Sequence, residues 1–444
     1  MSSSVFSRPF FLFYRLVWRL ARPLLKRSKR LADGWQERFV PADWLEPDLP
    51  ASDTDAAEHP ADIWLQAASG GEARLAVAVC RALSRERAFR ILIATWTRQG
   101  RDVVEKALPS LAQSHPLLRV AVRFAPFDQP DVALRAVRLA RPRVLALLET
   151  ELWPSLMAAC REENVPVFVL NGRINASTVR FGRVFSSFMR AVAPRRVCAI
   201  AERDRQGFAS IFDCPTEVMP NIKFDLAAEL LDAPLSEASQ SFVPGGPVFL
   251  FASVRDCEET RLPEHFSRIL KAEPEARIVI VPRHLHRVEE WKKRLGERGF
   301  DALLVTKTAP GQPVPRGCVL IWDRFGDLPV LYAAAQAVFV GGSFGMGGQN
   351  FLESLAAGRV PCIGPSAENF LWAMDSGGLP SLEESGLLRV APTPEAVMDA
   401  MLELASSPLP REAVRERFRA WLEPRLGTSA RCAALLEQAA QEHA

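Results

Sequence analysis

From about residue 63 to residue 225, short apolar runs alternate with stretches whose apolar residues recur at helical spacing, and the same grammar resumes at residue 248. The runs at 63–66, 90–95, 118–124, 144–148, 165–171 and 196–201 predict strands, with helices starting near 72, 100, 131, 152, 177 and 202. In the second half the predicted strands are 248–252, 277–281, 302–305, 318–322, 337–340 and 360–363. Helices are predicted there at 258–271, 286–298, 328–335, 349–357 and 394–404. Strands separated by single helices imply parallel sheets covered on both faces. The pattern therefore predicts an α/β protein with two doubly wound, Rossmann-like domains, at 45–231 and 248–405. A linker rich in Pro, Ser and Gly at 232–247 would join them, and a helical tail would follow at 406–444. Such domains, facing across a cleft, take ligands at the carboxyl ends of their strands.

Residues 1–32 follow a different pattern. The first acidic residue is Asp33, and before it Arg15, Arg19, Arg22 and Lys26 fall on one helical face. Leu12, Leu16, Leu20 and Leu24 run up another face, with Phe10, Phe11, Phe13, Tyr14 and Trp18 among them. No unbroken apolar span of about 20 residues is present, and no small-residue cleavage site follows. The expectation is a basic amphipathic helix lying on an anionic membrane surface. Its competitors are a helix packed on its own domain and a short tilted anchor.

Composition narrows the class. The chain has 444 residues, 48% hydrophobic and 24% charged, enough for two or three domains with full cores. Eight scattered cysteines without a CxxC pair argue against a disulfide scaffold or zinc site and fit a reducing cytosol. The net charge of +3 says little by itself, and no nucleic-acid partner is expected. Asp53-Thr-Asp55 spells a DxD but falls in a polar stretch before the first strand, and the histidines form no HExxH. No metal and no cofactor are expected.

Four segments carry candidate chemistry at strand ends. In Ser69-Gly70-Gly71-Glu72 a strand enters a helix through small residues, and Glu72 could take a proton from a sugar hydroxyl. The helix dipole alone would also favour an acid there. Glu149 and Glu151, just before Trp153-Pro154, share a face if the chain is extended. Arg283 follows another apolar run and suits phosphate or carboxylate. The run from Phe339 to Glu353 holds five glycines between a strand and a helix. It reads as a flexible loop whose amides could meet an anion, with Asn350 and Glu353 on the first helical turns, where a ribose could be held. Its glycines do not form the GxGxxG of a dinucleotide site.

In this order the segments resemble the 3-deoxy-D-manno-octulosonic acid (Kdo) transferases. The resemblance runs from the basic N-terminus to Gly364-Pro365 and Asn369-Phe370. It implies a GT-B glycosyltransferase that moves Kdo from CMP-Kdo to a lipid A precursor, with inversion and without metal. The place of work implied is the cytoplasmic face of the inner membrane, held peripherally or by the N-terminal segment. By position, Glu72 resembles the family's base. Ser69, Gly70, Gly71, Glu149, Glu151, Arg173 and Lys223 fall on the acceptor side, with Asn171-Gly-Arg173 and Asn221-Ile-Lys-Phe-Asp225 matching family motifs. Ser253, Arg283, Gly342, Ser343, Asn350 and Glu353 fall where the family holds the nucleotide. Gln66, Arg255 and Gln349 stand where the family usually has histidine. The alternatives are a GT-B enzyme using another nucleotide sugar and a non-catalytic membrane-bound homologue.

Overall fold

The computed structural model describes residues 9–27, 29–46, 60–232, 243, 245–309, 311–370 and 378–443; Asp53-Thr-Asp55 and most of the 232–247 linker lie outside them. The first unit is built on a parallel seven-stranded sheet: β1 (Ile63–Ala67), β2 (Phe89–Thr95), β3 (Leu118–Phe124), β4 (Val144–Leu148), β5 (Val167–Gly172), β6 (Arg196–Ala199) and β7 (Thr216–Val218). Their spatial order is β3-β2-β1-β4-β5-β6-β7. The second unit repeats the plan with β8 (Val248–Val254), β9 (Arg277–Pro282), β10 (Ala302–Leu304), β11 (Val319–Ile321), β12 (Ala337–Val340), β13 (Pro361–Ile363) and β14 (Arg389–Val390), in the order β10-β11-β9-β8-β12-β13-β14. The order reverses between β1 and β4 and again between β8 and β12, and the turns leaving β1, β4, β8 and β12 hold most of the candidate residues.

The central strands are apolar on both faces: every residue of β1, β4, β5, β8 and β9 is buried. Helices on both sides of each sheet remove the solvent-facing side that would impose alternation. β7 and β14 were not predicted. Each lies at a sheet edge, is only three or two residues long and carries polar, partly exposed side chains. An edge strand of that kind leaves no apolar run to read.

The domain limits differ from those predicted. The first unit comprises 1–225 and 427–444, the second 226–426. The final helix, Thr428–Glu442, is therefore not a separate tail; it packs on the helix Gly70–Ala82. Its start is held by Asp225, whose carboxylate accepts from Gly427 N at 2.8 Å and Ser429 N at 2.6 Å. Glu437 further along accepts from Ser84 N at 2.6 Å. The break falls inside the helix Lys223–Asp232, so the chain changes unit without a loop there.

The N-terminal helix, Pro9–Leu25, has two apolar faces. On the inner one, Phe10 stacks on Phe188 with centroids 4.3 Å apart, Phe11 is fully buried and Trp18 lies 5.7 Å from Phe127. Burial of such rings is worth about 1.5–3 kcal/mol each, so this helix is part of the first unit's core. On the outer face Leu12, Phe13, Leu16 and Leu20 are 52–68% exposed, and Arg15, Arg19, Arg22 and Lys26 are exposed beside them. Among the described residues no helix is long and apolar enough to cross a membrane.

Candidate functional site

At the carboxyl end of β1, Ser69 caps the helix Gly70–Ala82 in a reciprocal capping box with Glu72. Ser69 N donates to Glu72 Oε2 at 3.0 Å, Ala68 N donates to the same oxygen, and Glu72 N donates to Ser69 Oγ at 3.4 Å. A side chain added at Gly71 would meet only Ser69 Oγ, at 3.6 Å, so the space beside this turn is open to a ligand.

β4 delivers the other two glutamates, though not by extended chain. Glu149 has a φ of +56°, so its side chain and that of Glu151 are set by a sharp turn. Non-glycine residues in this region are strained and concentrate at functional sites. Lys223 Nζ donates to Glu149 Oε1 at 2.9 Å. Trp153 Nε1 donates to Glu151 Oε2 at 2.6 Å, and the Trp153 ring stacks on Trp96 with centroids 4.7 Å apart.

The three carboxylates influence one another. Burial raises the pKa of Glu72, and the negative charge of Glu149 raises it further, against hydrogen bonds from Ser69 and Ala68. Burial pushes Glu151 from 4.5 up to about 8, and Glu72 and then Glu149 add to this, against the Trp153 hydrogen bond. A carboxylate whose proton affinity is raised toward neutrality is suited to general-base work.

Two of the motifs interlock behind this group. Asn171, at φ +55° near the end of β5, accepts from Ile222 N at 2.9 Å, and Asn221 accepts from Lys223 N at 2.9 Å. Asn171 and Asn221 thus hold the turn that aims Lys223 at Glu149. Arg173 is not in the carboxylate group; it lines a cavity beside Thr150. Gln66 is buried and accepts from Trp64 Nε1 at 3.1 Å.

The sequence reading missed Asp128. Its carboxylate, 2% exposed, accepts from Tyr14 Oη at 2.8 Å, Ser155 N at 3.1 Å and Leu156 N at 2.9 Å. Those two amides open the helix Pro154–Glu162, directly after Trp153. Asp128 therefore ties the N-terminal helix to the helix start that places the partner of Glu151. Burial, and then the charge of Asp128, push the Tyr14 hydroxyl well above its ordinary range, which keeps it a donor. An acid just past a predicted strand, as with Glu72, was the available signal.

In the second unit β8 ends in a bulge, where Ser253 sits at φ +54°. Glu258 follows, fully buried, and accepts from Arg255 N at 2.9 Å, Gly342 N at 2.9 Å and Ser343 N at 3.1 Å. The expectation that the Gly342 and Ser343 amides meet an anionic ligand is thereby corrected, because both already donate to the side chain of Glu258. Ser343 itself is fully buried, donating to Val340 O at 2.9 Å and accepting from Gly364 N at 2.8 Å. Met346 N and Gly348 N both return to Gly342 O, at 3.1 and 2.8 Å. The loop is pinned from within, not the flexible one the glycines suggested. Four of its glycines, Gly342, Gly345, Gly347 and Gly348, take left-handed backbone with φ of +71° to +118°, and Gly341 serves packing: its Cβ would stand 2.5 Å from Val254 Cα.

Around that loop the remaining candidates present side chains. Arg283 is exposed at the end of β9, next to His284, whose pKa is lowered by burial and then by Arg255 and Arg283. Arg255 and Gln349, two of the departures from the resembling family, approach each other over Gly342, within 3.1–3.2 Å of where its Cβ would stand. Asn350 Nδ2 donates to Glu353 Oε1 at 3.0 Å, and Asn350 Oδ1 accepts from Leu352 N at 3.2 Å. Asn350 thus precedes the helix Leu352–Ala356 rather than lying in it.

Comparison with known proteins gives a consistent picture. Residues 33–226 match the family model described as 3-deoxy-D-manno-octulosonic-acid transferase (kdotransferase). A 3-deoxy-D-manno-octulosonic acid transferase of Bordetella pertussis is 31% identical over 435 residues, which is 96% of this chain and 98% of the relative. One of Haemophilus influenzae is 26% identical over 366 residues, 80% of this chain and 81% of the relative. Among solved structures, a glycosyltransferase from Rickettsia africae superposes with a TM-score of 0.56 at 13% identity, covering 85% of this chain and 98% of that one, a likeness of fold.

Proposed function

The chain belongs to the 3-deoxy-D-manno-octulosonic acid transferase family, and we propose that it transfers Kdo from CMP-Kdo to a lipid A precursor with Glu72 as the base. It is a CMP-Kdo-dependent glycosyltransferase of lipopolysaccharide synthesis on two parallel-sheet units. The observation that carries the role of Glu72 is its setting. One of its oxygens is held by two backbone amides, space is open beside Gly71, and burial and Glu149 raise its affinity for a proton. An acceptor hydroxyl placed against Glu72 loses its proton as its oxygen attacks the anomeric carbon of the donor sugar, and CMP departs.

Lys223 holds Glu149 in place through the 2.9 Å contact, and the charge of Glu149 in turn raises the basicity of Glu72. Below about pH 8 Glu151 is protonated, which spares Glu72 a second negative neighbour. In the second unit Arg283, with Arg255 beside it, offers the positive charge that offsets the leaving nucleotide, and Asn350 and Glu353 are the side chains available to a ribose. Gly342 and Ser343 support this site by shaping the loop rather than by touching the ligand.

The N-terminal helix brings the first unit to a lipid surface. Its outer leucines, Phe13 and the exposed arginines form a face suited to an anionic leaflet, each base near the surface adding about 1 kcal/mol. For a lipid A precursor that surface is the cytoplasmic face of the inner membrane. The decisive experiment mixes the protein with CMP-Kdo and a lipid A precursor, then measures CMP release and the mass of the lipid product. CMP release with a product heavier by a Kdo residue is expected. No change in the lipid would refute the acceptor assignment.

A further inference from the structure

A cavity of about 1060 Å³ opens in the first unit, bordered by Thr150, Arg173, Arg180, Arg183 and Arg203. Thr150 lies between Glu149 and Glu151, so the cavity adjoins the proposed catalytic group. The arginines come from three places: Arg173 after β5, Arg180 and Arg183 three apart on the helix Ala176–Val184, and Arg203 in the first turn of the helix Glu202–Ala209. The acid in the lining, Asp204, is 1% exposed, accepts from Ile174 N at 2.9 Å and lies 3.8 Å from Arg203. Four arginines thus line one cavity whose lining acid is buried. Guanidinium matches a phosphate with two parallel hydrogen bonds, and the volume exceeds that of a bare phosphate ion and suits a sugar-sized headgroup.

The same helix carries an apolar stripe next to its basic one. Val184 is 71% exposed and Phe181 40% exposed, and Phe181 meets Phe10 of the N-terminal helix at 6.4 Å. The helix that lends two arginines to the cavity thus also exposes apolar side chains, Phe181 and Val184. Phosphate on a sugar and hydrocarbon alongside it are the two halves of one kind of molecule, a phosphorylated glycolipid.

We infer that Arg180 and Arg183 bind a phosphate monoester on the sugar headgroup of the acceptor lipid, with Phe181 and Val184 meeting its acyl part. This rests on the proposed acceptor class and adds how that acceptor is chosen. Phosphate recognition here sets acceptor affinity while Glu72 sets the rate of the chemical step.

The test uses the full chain and the double variant Arg180→Ala/Arg183→Ala in neutral detergent micelles, with a phosphorylated lipid A precursor and its phosphatase-treated form. Both arginines are exposed, so the variant should melt with the parent. On the phosphorylated acceptor KM is expected to rise about tenfold or more with kcat nearly unchanged, as for loss of a charge-assisted contact. On the dephosphorylated acceptor parent and variant should coincide, and Arg→Lys at both positions should restore part of the affinity. Equal KM shifts on both acceptors, or none, would overturn the assignment. A second arm measures sedimentation with phosphatidylglycerol-containing vesicles: loss of vesicle binding with an unchanged KM in micelles would mean that these arginines serve bulk lipid headgroups, and the assignment fails. If the parent turns over neither acceptor, the functional reading fails by itself. Calorimetric titration with the phosphorylated disaccharide headgroup then decides the cavity: tighter binding by the parent supports the assignment, and equal or absent binding overturns it.

Discussion

In each unit the sheet strand beside the switch point ends in a turn whose glutamate accepts hydrogen bonds from that turn's own backbone: Glu72 after β1 and Glu258 after β8. The local geometry is alike, and the surroundings divide the roles. Glu258 is fully buried, and both its oxygens are taken by amides, two of them from the glycine loop. Glu72 is partly exposed, gives one oxygen to backbone amides and sits among two other carboxylates and an open space beside Gly71. A capping glutamate is thus a structural latch where loop amides cover it and a candidate base where they do not. The lesson is that a carboxylate at a helix start is assigned by what its second oxygen faces.

The largest effect expected is on catalysis. Glu72→Gln keeps the capping geometry and should lower turnover by roughly 10²–10⁴-fold, with an unchanged melting temperature and unchanged CMP binding. Normal turnover in this folded variant would remove the contrast between the two glutamates.

Glu258→Gln should do the reverse. An amide presents one acceptor where the carboxylate presented two, so a buried amide of Arg255, Gly342 or Ser343 loses its partner, at about 1–3 kcal/mol for each. Denaturant titration should show the loss, with CMP binding weakened and the rate of the bound complex little altered. A variant as stable as the parent would show that the loop is not held by this latch.

Glu151 sharpens the comparison through pH. Its folded pKa is raised from 4.5 to about 8, so the folded state holds a proton that the unfolded chain has released. That contribution to stability is complete below about pH 4.5 and is lost as pH rises through 8. Glu151→Gln should flatten this stretch of the stability–pH curve. An unchanged slope would mean that the carboxylate cluster is less buried than its geometry indicates.

The smallest effect concerns the N-terminal helix. Tyr14→Phe keeps the ring and removes one donor from buried Asp128, which should cost about 1–2 kcal/mol in denaturation. If the variant is as stable as the parent, the helix is held by aromatic packing alone.

Much of the architecture was legible along the chain. Twelve of the strands in the two sheets announced themselves as apolar runs, because strands buried on both faces leave no polar positions to blur the signal. Glu149 and Arg283 could be picked out because a charged residue just after such a run lies at a strand's carboxyl end, and Glu72 because it follows the small residues that carry a run into a helix. The outward-facing apolar row of the first helix was visible too, in Leu12, Leu16 and Leu20.

What the chain alone determined was therefore periodicity: which stretches are strands, which are helices and which charges fall at their ends. Only the tertiary structure decided partnership. It set Tyr14 on Asp128, brought Asp225 to Gly427 and Ser429, and closed Glu258 over the amides of Gly342 and Ser343. Each of these joins residues far apart in sequence, and hydrogen bonds satisfied at such separations leave no local mark. A buried carboxylate must find donors, but which donors it finds depends on which elements the packed sheet brings alongside it.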